Sequence, residues 1–253
     1  MLFDTHAHLD DPKFDQDRGA LISEIYADGV TRIMDIGADI ETSRKAVALA
    51  EAYDFVHAAV GVHPSETVGM TETDIDTLRA LAQNPKVRAI GEIGLDYHYD
   101  NTNPGEQKAW FRRQIQLAQE LGLPVVIHDR ESKGECIRIL REMDVRNGVM
   151  HCFSGSAETA AQLVKQGFMI SFTGVLTFKN ARRAVEACAA VPLERLMVET
   201  DCPYMAPEPH RGTRNHSGYV KYVAEKMAEI KGVSYDEICR ITTENAKRFF
   251  GVN

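Results

Sequence analysis

Short runs of apolar and β-branched residues alternate along this chain with longer stretches of helical period, and the two together predict its elements. The first run, Leu2-Phe3-Asp4-Thr5-His6-Ala7-His8, reads as a strand; helical period follows over 16–28 and stops at Asp28-Gly29. The pair recurs as a strand at 31–37 with a helix at 41–53, and as a strand at 55–64, broken by Pro64, with a helix at 71–83. A strand at 87–96 precedes a helix from Pro104 to Leu121, where Gly122 marks the stop and Pro124 lies beyond. Strands at 124–128, 147–153, 168–172 and 196–201 come next, interleaved with helices near 132–143, 156–166 and 180–190. Two closing helices cover 216–231 and 234–250, the second opened by the capping box Ser234-x-x-Glu237.

Parallel strands need crossover connections, so this alternation predicts an α/β fold with a parallel sheet. Eight such units close most naturally into a (β/α)8 TIM barrel, and 253 residues is the usual size of one such domain, here 1–253. The alternative, an open doubly wound sheet, wants a Gly-x-Gly-x-x-Gly turn after the first strand, and the chain has none there. An open sheet would also fail to gather the ligand-type residues of the first, fourth, fifth, sixth and eighth strands.

In a barrel the C-terminal strand ends converge on one mouth, where active sites sit. The last polar residues of the strands are His6 and His8, His63, Glu92, His128, His151 and Asp201. Strand alternation puts His6 and His8 on one face about 7 Å apart with Ala7 turned away, half of a grip on one cation. Any one of these residues alone reads as well as a rim histidine or a salt-bridge partner. Together they are the donor types of a divalent cation site. A carboxylate can bridge two cations, which suits Glu92 at the centre of the set. Glu199, deeper on the strand that carries Asp201, is expected to orient a ligand, whereas Asp96 is open between supporting a ligand and being a plain loop acid.

Composition narrows the partners. The formal charge of −8 argues against a general nucleic-acid coat but allows a local basic site. Arg130, Lys133, Lys179, Arg182, Arg183, Arg211 and Arg214 all follow strands. Arg182 and Arg183 read as decoration of a solvated helix, while Arg130 and Arg211 are the candidates for gripping phosphate oxygens. Tyr97, His98 and Tyr99 could stack a base or simply cover the barrel end. Five cysteines without Cys-x-x-Cys spacing argue against a disulfide framework or zinc ribbon, and Cys152 and Cys202, each following a candidate ligand, read as packing residues turned away by strand alternation. No run of about 18 apolar residues suggests a membrane span, and the early first strand leaves no room for a signal peptide. A cytoplasmic protein, expected to be monomeric, follows.

The blocks Asp4-Thr5-His6-Ala7-His8-Leu9-Asp10, Gly61-Val62-His63-Pro64, Gly91-Glu92-Ile93-Gly94-Leu95-Asp96-Tyr97, Ile127-His128-Asp129-Arg130, His151-Cys152-Phe153-Ser154-Gly155, Glu199-Thr200-Asp201-Cys202-Pro203-Tyr204 and Arg211-Gly212-Thr213-Arg214-Asn215 resemble, in order, the signature blocks of the TatD family of metal-dependent deoxyribonucleases. That family lies among the amidohydrolase-like barrels. The resemblance implies hydrolysis of DNA phosphodiesters, as a 3′–5′ exonuclease, by hydroxide activated between two divalent cations (Zn, Mg or Mn). One cation would take His6, His8, Glu92 and Asp201; the second would share Glu92 and add His128 and His151. Related barrels often bridge with a carbamylated lysine, and here Glu92 takes that role. Asp201 would accept the proton, with His63 the next candidate; His63, Arg130, Arg211 and Tyr97 would face the substrate. One departure stands after the eighth strand, where Asn215-His216-Ser217 replaces the family's frequent Asn-Glu-Pro. Two other readings compete: hydrolysis of small cyclic amides, lactones or other esters on the same barrel, and a non-catalytic nucleic-acid-binding or metal-storage protein.

Overall fold

The computed structural model describes residues 1–99 and 103–253. In chain order its strands and helices are β1 (Leu2–Ala7), α1 (Arg18–Ala27), β2 (Val30–Ile36), α2 (Ile40–Ala52), β3 (Val56–Val60), α3 (Glu72–Leu81), β4 (Val87–Asp96), α4 (Pro104–Leu121), β5 (Val125–Arg130), α5 (Glu135–Glu142), β6 (Gly148–Met150), α6 (Ala157–Gln166), β7 (Met169–Phe172), α7 (Arg182–Ala190), β8 (Leu196–Val198), α8 (Val220–Lys231) and α9 (Tyr235–Phe250). The eight strands form one sheet in sequential order, with parallel pairing at β1–β2, β3–β4, β4–β5, β5–β6 and β7–β8. A parallel sheet in that order, with helices between its strands, is the (β/α)8 class expected from the alternation. Among the described residues no helix is long and apolar enough to cross a membrane.

Local signals set the helix ends. Asn103 caps α4 by accepting from Glu106 N at 3.3 Å, Pro104 occupies its first turn, and Gly122 closes it at φ 66°. Ser234 caps α9 in the same way, accepting from Glu237 N at 3.2 Å. Strand ends depart more from expectation. The strand expected over 147–153 is only Gly148–Met150, and that over 196–201 is only Leu196–Val198. A left-handed residue follows each strand shortly after its end, Cys152 at φ 44° and Asp201 at φ 55°, and after Asp201 the backbone rejoins β1 through a bridge between Cys202 and Ala7. The expected strand at 55–64 ends at Val60: the N–H groups of Gly61 and Val62 go to Ser43 Oγ and Gln114 Oε1, and His63 caps the short 3-10 turn Pro64–Glu66.

The backbone gathers into two compact units, Met1–Asp35 with Cys152–Asn253, and Ile36–His151. In the first, α9 packs on β1 and β8: Phe250 meets Phe3 with ring centroids 5.9 Å apart, and buried Asn245 donates to the carbonyls of Leu193 and Leu196 at 2.8 and 2.9 Å. In the second, β4 and β5 pair along most of their length, and α4 lies against β4. Gly94 faces His128 in that pairing, and a Cβ there would stand 1.9 Å from the His128 carbonyl oxygen, so only glycine permits the approach.

Candidate functional site

The first unit brings His6, His8 and Asp201 together. His6 lies in β1 and His8 just past it, and their Nε2 atoms sit 3.3 Å apart. Asp201 Oδ1 lies 3.4 Å from His8 Nε2 and 3.8 Å from His6 Nε2. Backbone bonds fix this juncture: Asp201 N donates to His6 O and His8 N to Cys202 O, both at 2.9 Å. The left-handed turn at Asp201 aims its carboxylate at the two imidazoles. Two ring nitrogens this close, with a carboxylate beside them, are the donor set of a divalent cation.

Buried polar residues hold that set in place. Asp4 accepts from Thr200 N at 2.9 Å and Thr200 Oγ1 at 2.5 Å, and burial pushes its carboxyl up to about 7 against the hydrogen bonds from Ser217 and Thr200. Glu199 accepts from the backbone N of Cys152, the residue after His151, at 2.5 Å and from the Ser171 hydroxyl. Glu199 thus restrains the peptide after a candidate ligand, and Cys152 is turned by its left-handed backbone rather than by strand alternation. Asp35 accepts from Leu9 N at 2.6 Å, while Arg18 donates to the carbonyls of Leu9, Asp10 and Asp11, stiffening the loop that follows His8. Asn215 donates to the carbonyls of Thr200 and Tyr204, and His216 caps the next turn by accepting from Gly218 N at 3.2 Å. The departure from the family pattern therefore falls on a structural cap whose ring lies tilted against Tyr219.

The second unit brings His63, Glu92, His128 and His151 together. Glu92 Oε1 lies 2.7 Å from His128 Nδ1, 2.8 Å from His151 Nε2 and 3.8 Å from His63 Nε2. Glu92 sits inside the ten-residue strand β4 rather than at its end, next to an irregularity in the β4–β5 register between Ile90 and Ile93. Asp96, four residues on, holds the far side of His128, with Oδ2 3.2 Å from Nε2. Here both ring nitrogens face a carboxylate; with a cation bound at Nδ1, His128 would keep its Nε2–H on Asp96, as ligand histidines do with their second N–H. Burial pulls the His128 pKa down, but the hydrogen bonds to Asp96 and Glu92 outweigh it and the net shift is upward. Asp96, open between two roles in the sequence, is a supporting acceptor.

Two glutamines that sequence reasoning passed over set this geometry. Gln107 and Gln114 stand two turns apart on α4 and are buried, 3% and 1% exposed, where a polar residue on a helix normally means solvent. Gln107 accepts from Asp96 N and donates to Asp96 O, both at 2.9 Å. Gln114 does the same for Val62, beside His63, at 2.8 and 3.0 Å. Gln114 serves Val62 two residues past the end of β3, and Gln107 serves Asp96, the last residue of β4, which is still paired with Arg130 of β5. The available signal was their spacing on one helix face.

The basic and aromatic candidates sort unevenly. Arg130 is exposed at the end of β5 with its guanidinium 5.6 Å from the ring of Tyr99, which is 55% exposed. Arg211 is exposed and lies 3.7 Å over Phe178. Tyr97 is half-buried with its hydroxyl donated to Glu135 at 2.8 Å. Arg214 is a structural group, paired with Asp17 at 2.8 and 2.5 Å and lying over Phe14. Arg182 pairs with Glu186 on the exposed face of α7, as expected.

Imidazoles and carboxylates gathered at the strand ends of a (β/α)8 fold define a class, the metal-dependent hydrolases. The chain belongs to the TatD family: the model described as TatD related DNase matches residues 3–251, which includes both compact units. Over its full length the chain is 47% identical to the uncharacterized metal-dependent hydrolase YabD of Bacillus subtilis, all of which is covered. It is 32% identical to the 3′-5′ ssDNA/RNA exonuclease TatD of Enterobacter lignolyticus, with 99% of each chain covered. The crystal structure of YJJV, a TatD homologue from Escherichia coli K12, superposes with a TM-score of 0.94 at 31% identity, covering 100% of this chain and 98% of that one.

Proposed function

We propose that this protein is a nuclease that hydrolyses phosphodiester bonds of DNA, removing nucleotides from 3′ ends of single strands with two divalent cations. The observation that carries the reading is the pair of donor clusters, His6/His8/Asp201 and Glu92/His128/His151, each with the mix of neutral imidazole and carboxylate that divalent cations take. Zn, Mg or Mn held there would lower the pKa of water and offset charge on phosphoryl oxygens. Glu92, the family's shared ligand, would serve both cations. Asp201 would take a proton from the attacking water, the hydroxide oxygen would bond phosphorus as the bond from phosphorus to the sugar oxygen breaks, and that oxygen would leave with a proton from solvent water. Arg130 and Arg211 would hold flanking phosphates, with the exposed ring of Tyr99 beside Arg130 as a base platform. The name carried by the Enterobacter relative supports single-strand and 3′–5′ preference. The protein would act as a single domain and a monomer, and its free cysteines suit a reducing cytosol.

The test is metal-depleted protein assayed on a 3′-labelled single-stranded oligonucleotide and on small lactones and esters, with Zn, Mg or Mn restored in turn. Restored turnover of the oligonucleotide alone is expected. Glu92→Ala is expected to lose both metal equivalents by elemental analysis; retention of two with full activity would remove Glu92 from the ligand set. Lactone turnover without DNA turnover would favour the second enzymatic reading.

A further inference from the structure

The three histidines around Glu92 are not chemically equivalent, and the hydrogen bonds behind their rings separate them. We propose that His63 is neither a metal ligand nor the base, but a fixed Nε2–H donor to a non-bridging phosphoryl oxygen of the substrate. The assignment deepens the phosphodiester reading and rests on it.

Ser65 sets the tautomer. Its backbone N–H, which can only donate, meets His63 Nδ1 at 3.1 Å, so that nitrogen carries a lone pair and no proton. The Ser65 hydroxyl also lies 2.7 Å from this nitrogen, but its single proton is directed to Glu66 Oε1 at 2.9 Å, so the assignment stands on the backbone N–H. A neutral imidazole has one proton, which therefore sits on Nε2, the atom facing the Glu92 cluster. Binding a cation through Nε2 would strip the ring of both protons, while ligand histidines normally donate their second N–H, as His128 does to Asp96. Accepting a proton at Nε2 is excluded by the same count, and the lone pair of Nδ1 is spent on Ser65.

The donor is also free to be used and rigidly placed. Glu92 Oε1 stands 3.8 Å from His63 Nε2, beyond hydrogen-bond reach. The ring packs edge-on against His128 with centroids 4.4 Å apart. Its backbone is tied by His63 N to Ala38 O at 2.8 Å, and its neighbour Val62 by Gln114. An N–H held beside the ligands but not among them reaches an anionic oxygen brought to those ligands. Charge on the non-bridging oxygens grows as phosphorus is attacked, so the bond strengthens in the transition state.

The experiment uses the metal-loaded protein, the dinucleotide thymidylyl-thymidine and its Rp and Sp phosphorothioates. His63→Ala is expected to lower kcat/KM on the oxygen substrate roughly 10- to 100-fold, the scale of one hydrogen bond to a charged group. It should keep the metal content and both limbs of the pH–rate profile, and erase most of the wild-type preference between the two diastereomers. His63→Gln, which retains an N–H donor, should recover part of the loss. Loss of a metal equivalent, disappearance of a pH limb, or unchanged rates and diastereomer preference would each overturn the assignment. Long-range 1H–15N spectra of the wild-type protein supply a readout independent of activity: an Nε2–H pattern at His63, with and without Zn, is expected, and an Nδ1–H pattern overturns it. Wild type inactive on every phosphodiester with every cation would sink the nuclease reading instead, leaving the tautomer to the spectra.

Discussion

Asp96 stands behind His128 with its carboxylate buried, and the positions of these two side chains decide how firmly a cation is held in the Glu92 cluster. Burial raises the Asp96 pKa, but the hydrogen bonds from His128 and the His98 backbone prevail and hold it below the usual carboxylate range, so it stays ionised as an acceptor. Asp96→Ala is expected to weaken metal binding by about 10- to 100-fold, read by competition with a chromogenic chelator, and Asp96→Asn to restore part of it through its amide oxygen. An unchanged affinity in both would reduce Asp96 to a loop acid. Asp201 has the opposite profile, a candidate ligand that also moves a proton. Asp201→Asn keeps one oxygen for the metal, so near-normal metal content with turnover down by roughly 100-fold is expected. If the Asn variant cleaves DNA at the wild-type rate from pH 6 to 9, another group takes the proton. His63 is not that group in the tautomer Ser65 imposes.

At the scale of elements, α4 does more than cover the sheet. Its side-chain amides bond the backbone at the functional ends of β3 and β4: Gln114 at Val62, past the last residue of β3, and Gln107 at Asp96, the last residue of β4. Replacing either glutamine with alanine leaves a buried N–H and a buried C=O without their partner, at a cost of about 1–3 kcal/mol for each orphaned group. Gln107→Ala and Gln114→Ala are therefore expected to lower the urea midpoint clearly, with the double variant near the sum, since the two clamps share no partner. Midpoints equal to wild type would show that water replaces the amides at no cost.

For the molecule as a whole, the acid limb of stability should carry the signature of His216. Burial, then the charges of Arg214 and His210, push its pKa down to about 4. The unfolded chain takes the proton near 6.5. Between those values the unfolded state binds a proton the folded state refuses, so stability is full above about 6.5 and falls as pH drops toward about 4. His216→Asn keeps an acceptor for the Gly218 N–H but does not titrate, and a shallower decline of the urea midpoint over that range is expected. An acid limb identical to wild type would mean that other groups account for it. The prediction concerns folding rather than substrate choice because His216 serves a cap.

Periodicity, turn residues and the identity of the last polar residue on each strand were enough to determine the alternation of strands and helices, the ends of α4 and the candidate ligands. These are local properties, written in residues a few positions apart: Asn103, Pro104 and Gly122 frame their helix without help from the rest of the chain. The lengths of β6 and β8 were not legible, because past Met150 and Val198 backbone N–H groups turn to side chains remote in sequence, Glu199 for Cys152 N and Asp4 for Thr200 N. Nor were the tasks of Gln107 and Gln114, since a polar side chain on a helix looks solvated until the fold surrounds it. The roles of Asp96 and His63 likewise waited on the atom behind each ring. Sequence names the donors; His63 takes its tautomer from Ser65 in the turn it caps, a local contact, whereas the proton of His128 is placed only when the fold brings Asp96, from another strand, behind its ring.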